Sequence, residues 1–176
     1  MHSVRIDNEH SPYFAKFWGT YEYSFPPSER RARAAQTALF ARPEFHLDAW
    51  LEGNAFVGFM AWWDFGDCRY VEHVAVAPES RSGGNGGRLL RAWMDKDPRP
   101  VYLEIEEPVD DITRRRLGFY QRLDFVRSEH RHIQPPYQAG FDPAPMLVLS
   151  WPDLITPEQY ARLIRMLRTT VWAGME

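Results

Sequence analysis

The stretch VEHVAVAPESRSGGNGGRLL, Val71–Leu90, reads as a strand, a glycine-rich turn and the opening of a helix. Val71, Val74, Ala75 and Val76 form the apolar, β-branched run of a buried strand, and Pro78 ends it because proline has no amide hydrogen to give the ladder. Gly83, Gly84, Gly86 and Gly87 then free the backbone to adopt conformations closed to other residues and leave its amides uncovered. Leu89, Leu90, Trp93 and Met94 recur at helical spacing just beyond. The turn therefore sits at a helix N-terminus, where unpaired N–H groups and the helix dipole favour an anion such as phosphate.

Two glycine codes fail here. A P-loop needs Lys and then Ser or Thr after its last glycine, but Arg88 and Leu89 follow Gly87. The dinucleotide pattern G-x-G-x-x-G, begun at Gly84 and Gly86, would place its third glycine at Leu89. What fits is R-x-x-G-x-G, with Arg81, Gly84 and Gly86, directly after a V-A-V-x-P strand end. In that context the chain resembles the GNAT superfamily of N-acetyltransferases. RRLGFYQRLDF, Arg115–Phe125, resembles the family's second signature, a helix carrying F-Y-x-x-x-G-F. Phe119, Tyr120 and Phe125 match, while Thr113 stands where asparagine is usual and Asp124 where glycine is. The motifs cover about Arg69 to Phe125, and the rest resembles the family through element order.

The resemblance implies acetyl-CoA as co-substrate, and no metal is expected because the single cysteine, Cys68, has no metal-ligand spacing around it. Its pyrophosphate would lie against the amides of Arg81, Ser82, Gly83, Gly84, Asn85, Gly86 and Gly87, and its pantetheine arm along the main chain of Val74 and Val76. Thr113 and Tyr120 would stand beside that arm. The implied reaction is direct transfer of acetyl to a primary amine of a small molecule or peptide, without a covalent enzyme intermediate. Tyr120 is the expected general acid for the leaving thiolate. The acceptor pocket would draw on Phe14, Trp18, Tyr21, Tyr23, Tyr137 and Phe141, an aromatic wall beside the carboxylate of Glu104. A different class of function, a CoA-binding sensor or structural protein without turnover, shares the same fold.

The base is sought among carboxylates. By the two-residue period Tyr70, Glu72, Val74 and Val76 share one face of their strand unless a bulge intervenes, and Tyr102, Glu104 and Glu106 share one on the next. Burial and a neighbouring carboxylate would raise a pKa toward the working pH, so Glu72 is the expected base and Glu104 the second choice. His73 reads as a hydrogen-bonded core residue, and His130 and His132 as loop or edge residues.

Outward from these motifs the chain is read as one acetyltransferase-like domain over residues 1–151 and a helical extension over 152–176. The fold expected is α/β (α+β): a mixed, mostly antiparallel central sheet of about seven strands flanked by helices, with one parallel strand–helix–strand unit and an extra C-terminal helix. Helices are expected from Ser11-Pro12 through Trp18 and over Ser28–Phe40. A three-strand meander to Val76 follows, with turns at Glu52-Gly53-Asn54 and Phe65-Gly66-Asp67. A strand at Val101–Glu106 and a helix capped by Asp110 or Asp111 come next, the helix with Ile112, Phe119, Tyr120 and Leu123 on its inner face. Phe125–Ser128 resumes as a strand, Ile133–Pro145 reads as a loop, and Met146–Leu149 as the final strand. Thr156-Pro157-Glu158-Gln159 forms a capping box for a helix whose stripe is Tyr160, Leu163, Ile164, Leu167 and Val171. That stripe must be buried on the same domain or on a second subunit, a homodimer being the favoured expectation.

Composition narrows the classes further. The chain has 176 residues, 44% of them hydrophobic, enough for one core. A net charge of −3 leaves no basic stripe for nucleic acid, and Arg114, Arg115 and Arg116 read as a solvated helix face. The lone Cys68 excludes an internal disulfide and suits a reducing cytoplasm. No apolar leader and no run of about 18 apolar residues is present, so neither export nor a membrane span is expected.

Overall fold

Near-continuous apolar runs in the central strands demand cover on both faces, and the sheet carries a helical layer on each side. The computed structural model describes residues 1–175. Its strands are β1 (His2–Arg5), β2 (Phe45–Glu52), β3 (Ala55–Asp64), β4 (Arg69–Val76), β5 (Val101–Glu106), β6 (Val126–Arg127), β7 (His132–Gln134) and β8 (Ala144–Trp151). Its α-helices are α1 (Phe14–Ser24), α2 (Arg33–Ala38), α3 (Asn85–Met94), α4 (Asp111–Gln121) and α5 (Pro157–Met166), the last continued by a π-helical turn over Leu167–Val171. The sheet runs β1-β2-β3-β4-β5-β8-β6, with β7 also on β8. All pairs are antiparallel except β4 with β5, which the α3 crossover makes parallel. The eight strands fill seven ranks because β6 and β7 share one edge of β8.

One face packs Phe17, Tyr21, Phe59, Trp63 and Tyr70 under α1 and α5. The other packs Trp50, Met60, Val71, Leu89, Trp93 and Tyr120 under α3 and α4. Local signals place the boundaries. Gly53 turns β2 into β3 at φ 57°, Asp110 and Thr113 form a capping box at α4, and Thr156 and Gln159 form one at α5. Asp124, where the family motif has glycine, takes the left-handed conformation at φ 66°.

Four expectations are corrected. The second helix is only α2, flanked by 3₁₀ turns at Pro27–Glu29 and Leu39–Ala41. Residues 132–134, read as an edge and loop, form β7. Ile112 is 68% exposed, so α4 does not bury it. The tail stripe is covered by its own chain: Leu163 and Leu167 are fully buried and Val171 and Trp172 nearly so, which removes the motive for a homodimer through that face. Cys68 is buried and its thiol is pushed up to about 12, chiefly by burial, so it is unreactive at neutral pH. Among the described residues no helix is long and apolar enough to cross a membrane.

Candidate active site

β4 and β5 part company. They pair only from Arg69–Val71 to Val101–Leu103, after which β4 stays with β3 to Val76 and β5 stays with β8 to Glu106. Between them opens a cleft of about 350 Å³ lined by Val71, Val74, Val76, Glu104, Tyr120 and Arg81, among others. The register of β4 on β3 shifts between Ala61 and Trp62, which pair with His73 and Val71, so Glu72 is an unpaired bulge residue. The bulge changes the faces. Glu72 bonds Trp63 and His73 packs on Tyr21 and Phe25, so these consecutive side chains lie on the same side as Tyr70. Val71 and Val74 face the other layer. The expected sharing of one face by Glu72 and Val74 therefore fails, because the extra residue breaks the period of two.

The same ladder exposes main chain to the cleft. Ala77 donates its N–H to Val57 O on β3. Bonding direction alternates along an antiparallel pair, so Val76 and Val74 point their amides and carbonyls away from β3, toward the gap. Arg81 covers part of that edge, giving its Nε–H to Val76 O at 3.2 Å while its guanidinium lies over Tyr23.

The glycine loop closes one end. Gly84 adopts φ 68° at the N-cap of α3, and the first intrahelical bond is from Arg88 N to Gly84 O. The amides of Asn85, Gly86 and Gly87 thus stand free of backbone partners at the helix start, beside a hollow lined by Ser80, Arg81, Ser82 and Gly84. Asn85 braces the turn by donating Nδ2–H to Ser80 O at 2.8 Å. Gly86 lies close against the layer beneath it: a Cβ there would come into van der Waals contact with Phe119 Cζ at 3.4 Å and Val76 Cγ2 at 3.5 Å.

Two buried carboxylates lie beneath the cleft. The Glu72 side chain is fully buried and accepts from Arg31 Nη1 at 2.5 Å, Trp63 Nε1 at 2.9 Å and Tyr137 Oη at 2.9 Å. Burial works to raise its pKa, but the Arg31 charge and these donors outweigh it and hold the carboxyl below its usual range. The expected upward shift of Glu72 is thereby reversed. Arg31, in turn, gives Nη2–H to Val171 O at 2.7 Å and lies over the Tyr137 ring. Glu104 accepts from Gln134 Nε2 at 3.0 Å and is bonded to Tyr70 Oη and His132 Nε2. His132 Nδ1 meets Tyr160 Oη at 3.0 Å, and that hydroxyl donates to Arg131 O.

Of the residues singled out in the sequence, Glu72, Val74, Val76, Arg81, Tyr23, Glu104 and Tyr120 line the cleft, and Gly84, Gly86 and Gly87 line the adjoining hollow. Tyr120 is 7% exposed and its hydroxyl is pushed up to about 12 by burial, so it is protonated at neutral pH. Phe14, Trp18 and Tyr21 do not form an acceptor wall. They stack among themselves and on Phe59 in the core, which the helical spacing of aromatics already favours. Tyr137 is buried against Glu72 and His73, Phe141 is 44% exposed, and neither lines the cleft. Thr113 spends its hydroxyl on Asp110 and reaches none of the cleft. His73 is a core residue that gives Nε2–H to Glu29 O at 2.7 Å. Sequence reading missed Arg31, Arg116 and His132. Arg116 lines the cleft and pairs with Glu106.

A family description, acetyltransferase (GNAT) domain, matches residues 45–127. A solved structure from Bacteroides thetaiotaomicron, assigned to the GNAT family of acetyltransferases, is 32% identical, with 98% of each chain covered and a TM-score of 0.92. A GNAT acetyltransferase from Elizabethkingia anophelis with acetyl-CoA bound is 13% identical, covering 85% of this chain and 95% of that one at a TM-score of 0.58. The ribosomal-protein-S18-alanine N-acetyltransferase of Escherichia coli is 15% identical, covering 89% and 97% at 0.60. The last two share the fold. No curated protein matches the sequence.

Proposed function

The chain belongs to the GNAT family of acetyltransferases, and from that premise we propose that it transfers acetyl from acetyl-CoA to a primary amine of a small molecule or peptide within a ternary complex. The observation that carries the reading is the continuous line of unclaimed backbone donors. It runs from the Val74 and Val76 edge of the parted strands to the free amides of Asn85, Gly86 and Gly87. An extended amide-bearing arm fits the first part as an added strand, and a pyrophosphate fits the second. Arg81, at the junction, supplies a positive charge beside both.

In this mechanism the amine lone pair attacks the thioester carbonyl carbon, and the C–S bond breaks with its electron pair leaving on sulfur. Tyr120 gives the thiolate a proton, a role supported by its place in the cleft wall and by a hydroxyl that carries its proton at neutral pH. The proton lost by the nitrogen passes to Glu104, where His132 Nε2 shares it. Glu72, held ionised by Arg31, forms with it a buried neutral pair, and its role is to hold Trp63 and Tyr137 beneath the cleft rather than to take the proton. Proximity in a closed cleft supplies much of the remaining acceleration.

The test is acetyl-CoA-dependent release of free thiol over a panel of arylalkylamines, polyamines and peptide N-termini. Turnover on an amine with an N-acetyl product supports the reading. Tight CoA binding with no turnover on any member would instead make the protein a CoA-binding sensor.

A further inference from the structure

A second cavity, about 620 Å³ and larger than the cleft, opens where α5 and its π-helical turn pass over β7. It lies away from the glycine loop, and none of the loop residues lines it. Its walls are of two kinds. Tyr160, Trp172, Ile133 and Ile164 provide aromatic and aliphatic surface, while Arg131 and Arg168 bring two exposed guanidinium groups, neither of them ion-paired among the described residues. Trp172 is 5% exposed, and its indole N–H is buried without an acceptor. Half-exposed Ile133 is turned outward on β7 while its neighbours His132 and Gln134 are turned in, so apolar surface is presented to the cavity from the strand as well as from the helix.

The size suits a small organic ligand, the rings suit a flat one, and unpaired arginines suit a carboxylate that can take two parallel N–H bonds. We infer that this cavity is a binding site for a small aromatic carboxylic acid, distinct from the acetyl-transfer cleft. The two sites share a wall. His132 lines the cavity and bonds Glu104 of the cleft, so a ligand that moves His132 also alters the surroundings of that carboxylate.

The test is calorimetric titration of the full-length protein with 1-naphthoate, with and without saturating CoA, and with the neutral 1-naphthamide as control. The expected result is saturable naphthoate binding that CoA does not displace. Arg131→Glu and Arg168→Glu should each weaken it by about tenfold, and the amide should bind about tenfold more weakly than the acid. Both arginines are solvent-exposed, so the charge reversals leave the fold intact, which unchanged melting would verify. Absence of saturable binding overturns the assignment. So does displacement by CoA, which would put the probe in the cleft, or binding that both charge reversals leave unchanged. None of these results depends on whether an amine is acetylated.

Discussion

Replacing Arg31 with methionine removes the counter-charge of a carboxylate that has no access to water. Three contacts go: the 2.5 Å bond to Glu72, the 2.7 Å bond to Val171 O and the guanidinium placed 5.1 Å from the Tyr137 centroid. Breaking a buried pair from one side costs about 3–5 kcal/mol, because the surviving charge is left uncompensated. Trp63 and Tyr137 still donate to Glu72, which argues for the lower end, about 3 kcal/mol. For a chain of this length that corresponds to a fall in Tm of roughly 6–12 °C. The pH dependence follows from the direction of the shift. In the wild type the folded pKa of Glu72 lies below its unfolded value, so its contribution is fully present above the unfolded value and is lost as pH falls through the folded one. Without Arg31, burial dominates and moves the folded pKa upward. The stability gap between variant and wild type should then be widest near neutrality and shrink toward about pH 4, where a protonated Glu72 needs no partner. Thermal melts at the two pH values measure this, with Arg31→Met/Glu72→Gln as the control expected to recover part of the loss. An unchanged Tm, or a deficit equal at both pH values, would refute the assignment of Arg31 as the counter-ion.

The other expectations concern the cleft. Gly84→Val forces a β-branched residue to φ 68°, at a cost of about 1–2 kcal/mol, and should raise KM for acetyl-CoA about tenfold. Gly83→Ala meets only Asn85 Nδ2 at 3.4 Å, with no positive φ, and should leave KM within about twofold; equal effects would place the bound phosphates elsewhere. Tyr120→Phe removes a donor worth about 1.5–3 kcal/mol to a developing thiolate, so kcat should fall roughly 10- to 100-fold with melting unchanged. Full activity in that variant would leave Tyr120 as core packing alone. Glu104→Gln should lower kcat by about 10²–10⁴ with acetyl-CoA affinity retained, and the loss should narrow at high pH where free amine is abundant. A near-normal Glu104→Gln beside an inactive but folded Glu72→Gln would move the base to Glu72.

What the sequence made legible is what local chemistry decides. V-A-V-x-P and the glycines state a strand end and a helix start within one stretch, and the order of elements follows from caps, turns and period. The bulge at Glu72 is invisible, since no glycine or proline marks it, and one extra residue inverts every relation of face counted in twos across it. Arg31 is one of several arginines around a short helix, and only the approach of β4 and the tail picks it out. His132 is different, because a signal was present. Arg131, His132, Ile133 and Gln134 alternate out, in, out, in, but with His132 and Gln134 inward and Ile133 outward, which inverts the usual pattern and makes a strand look like a loop. Phe14, Trp18 and Tyr21 serve the core, as aromatic residues at helical spacing first do.

The bulge and the tail answer to the same charge. Glu72 stays on the Tyr70 side, in the apolar layer that α1 and α5 cover, where a carboxylate is untenable alone, and the bulge sets His73 beside it on that face. Arg31 makes it tenable, and the same guanidinium reaches Val171 O in the turn that ends α5. The carbonyl at that helix end would otherwise lack a partner in a buried place, so one arginine satisfies both a strand irregularity and a helix terminus. The tail is consequently part of the cleft's support: loosening it withdraws the carbonyl that fixes Arg31, and with it the position of the charge beneath the parted strands.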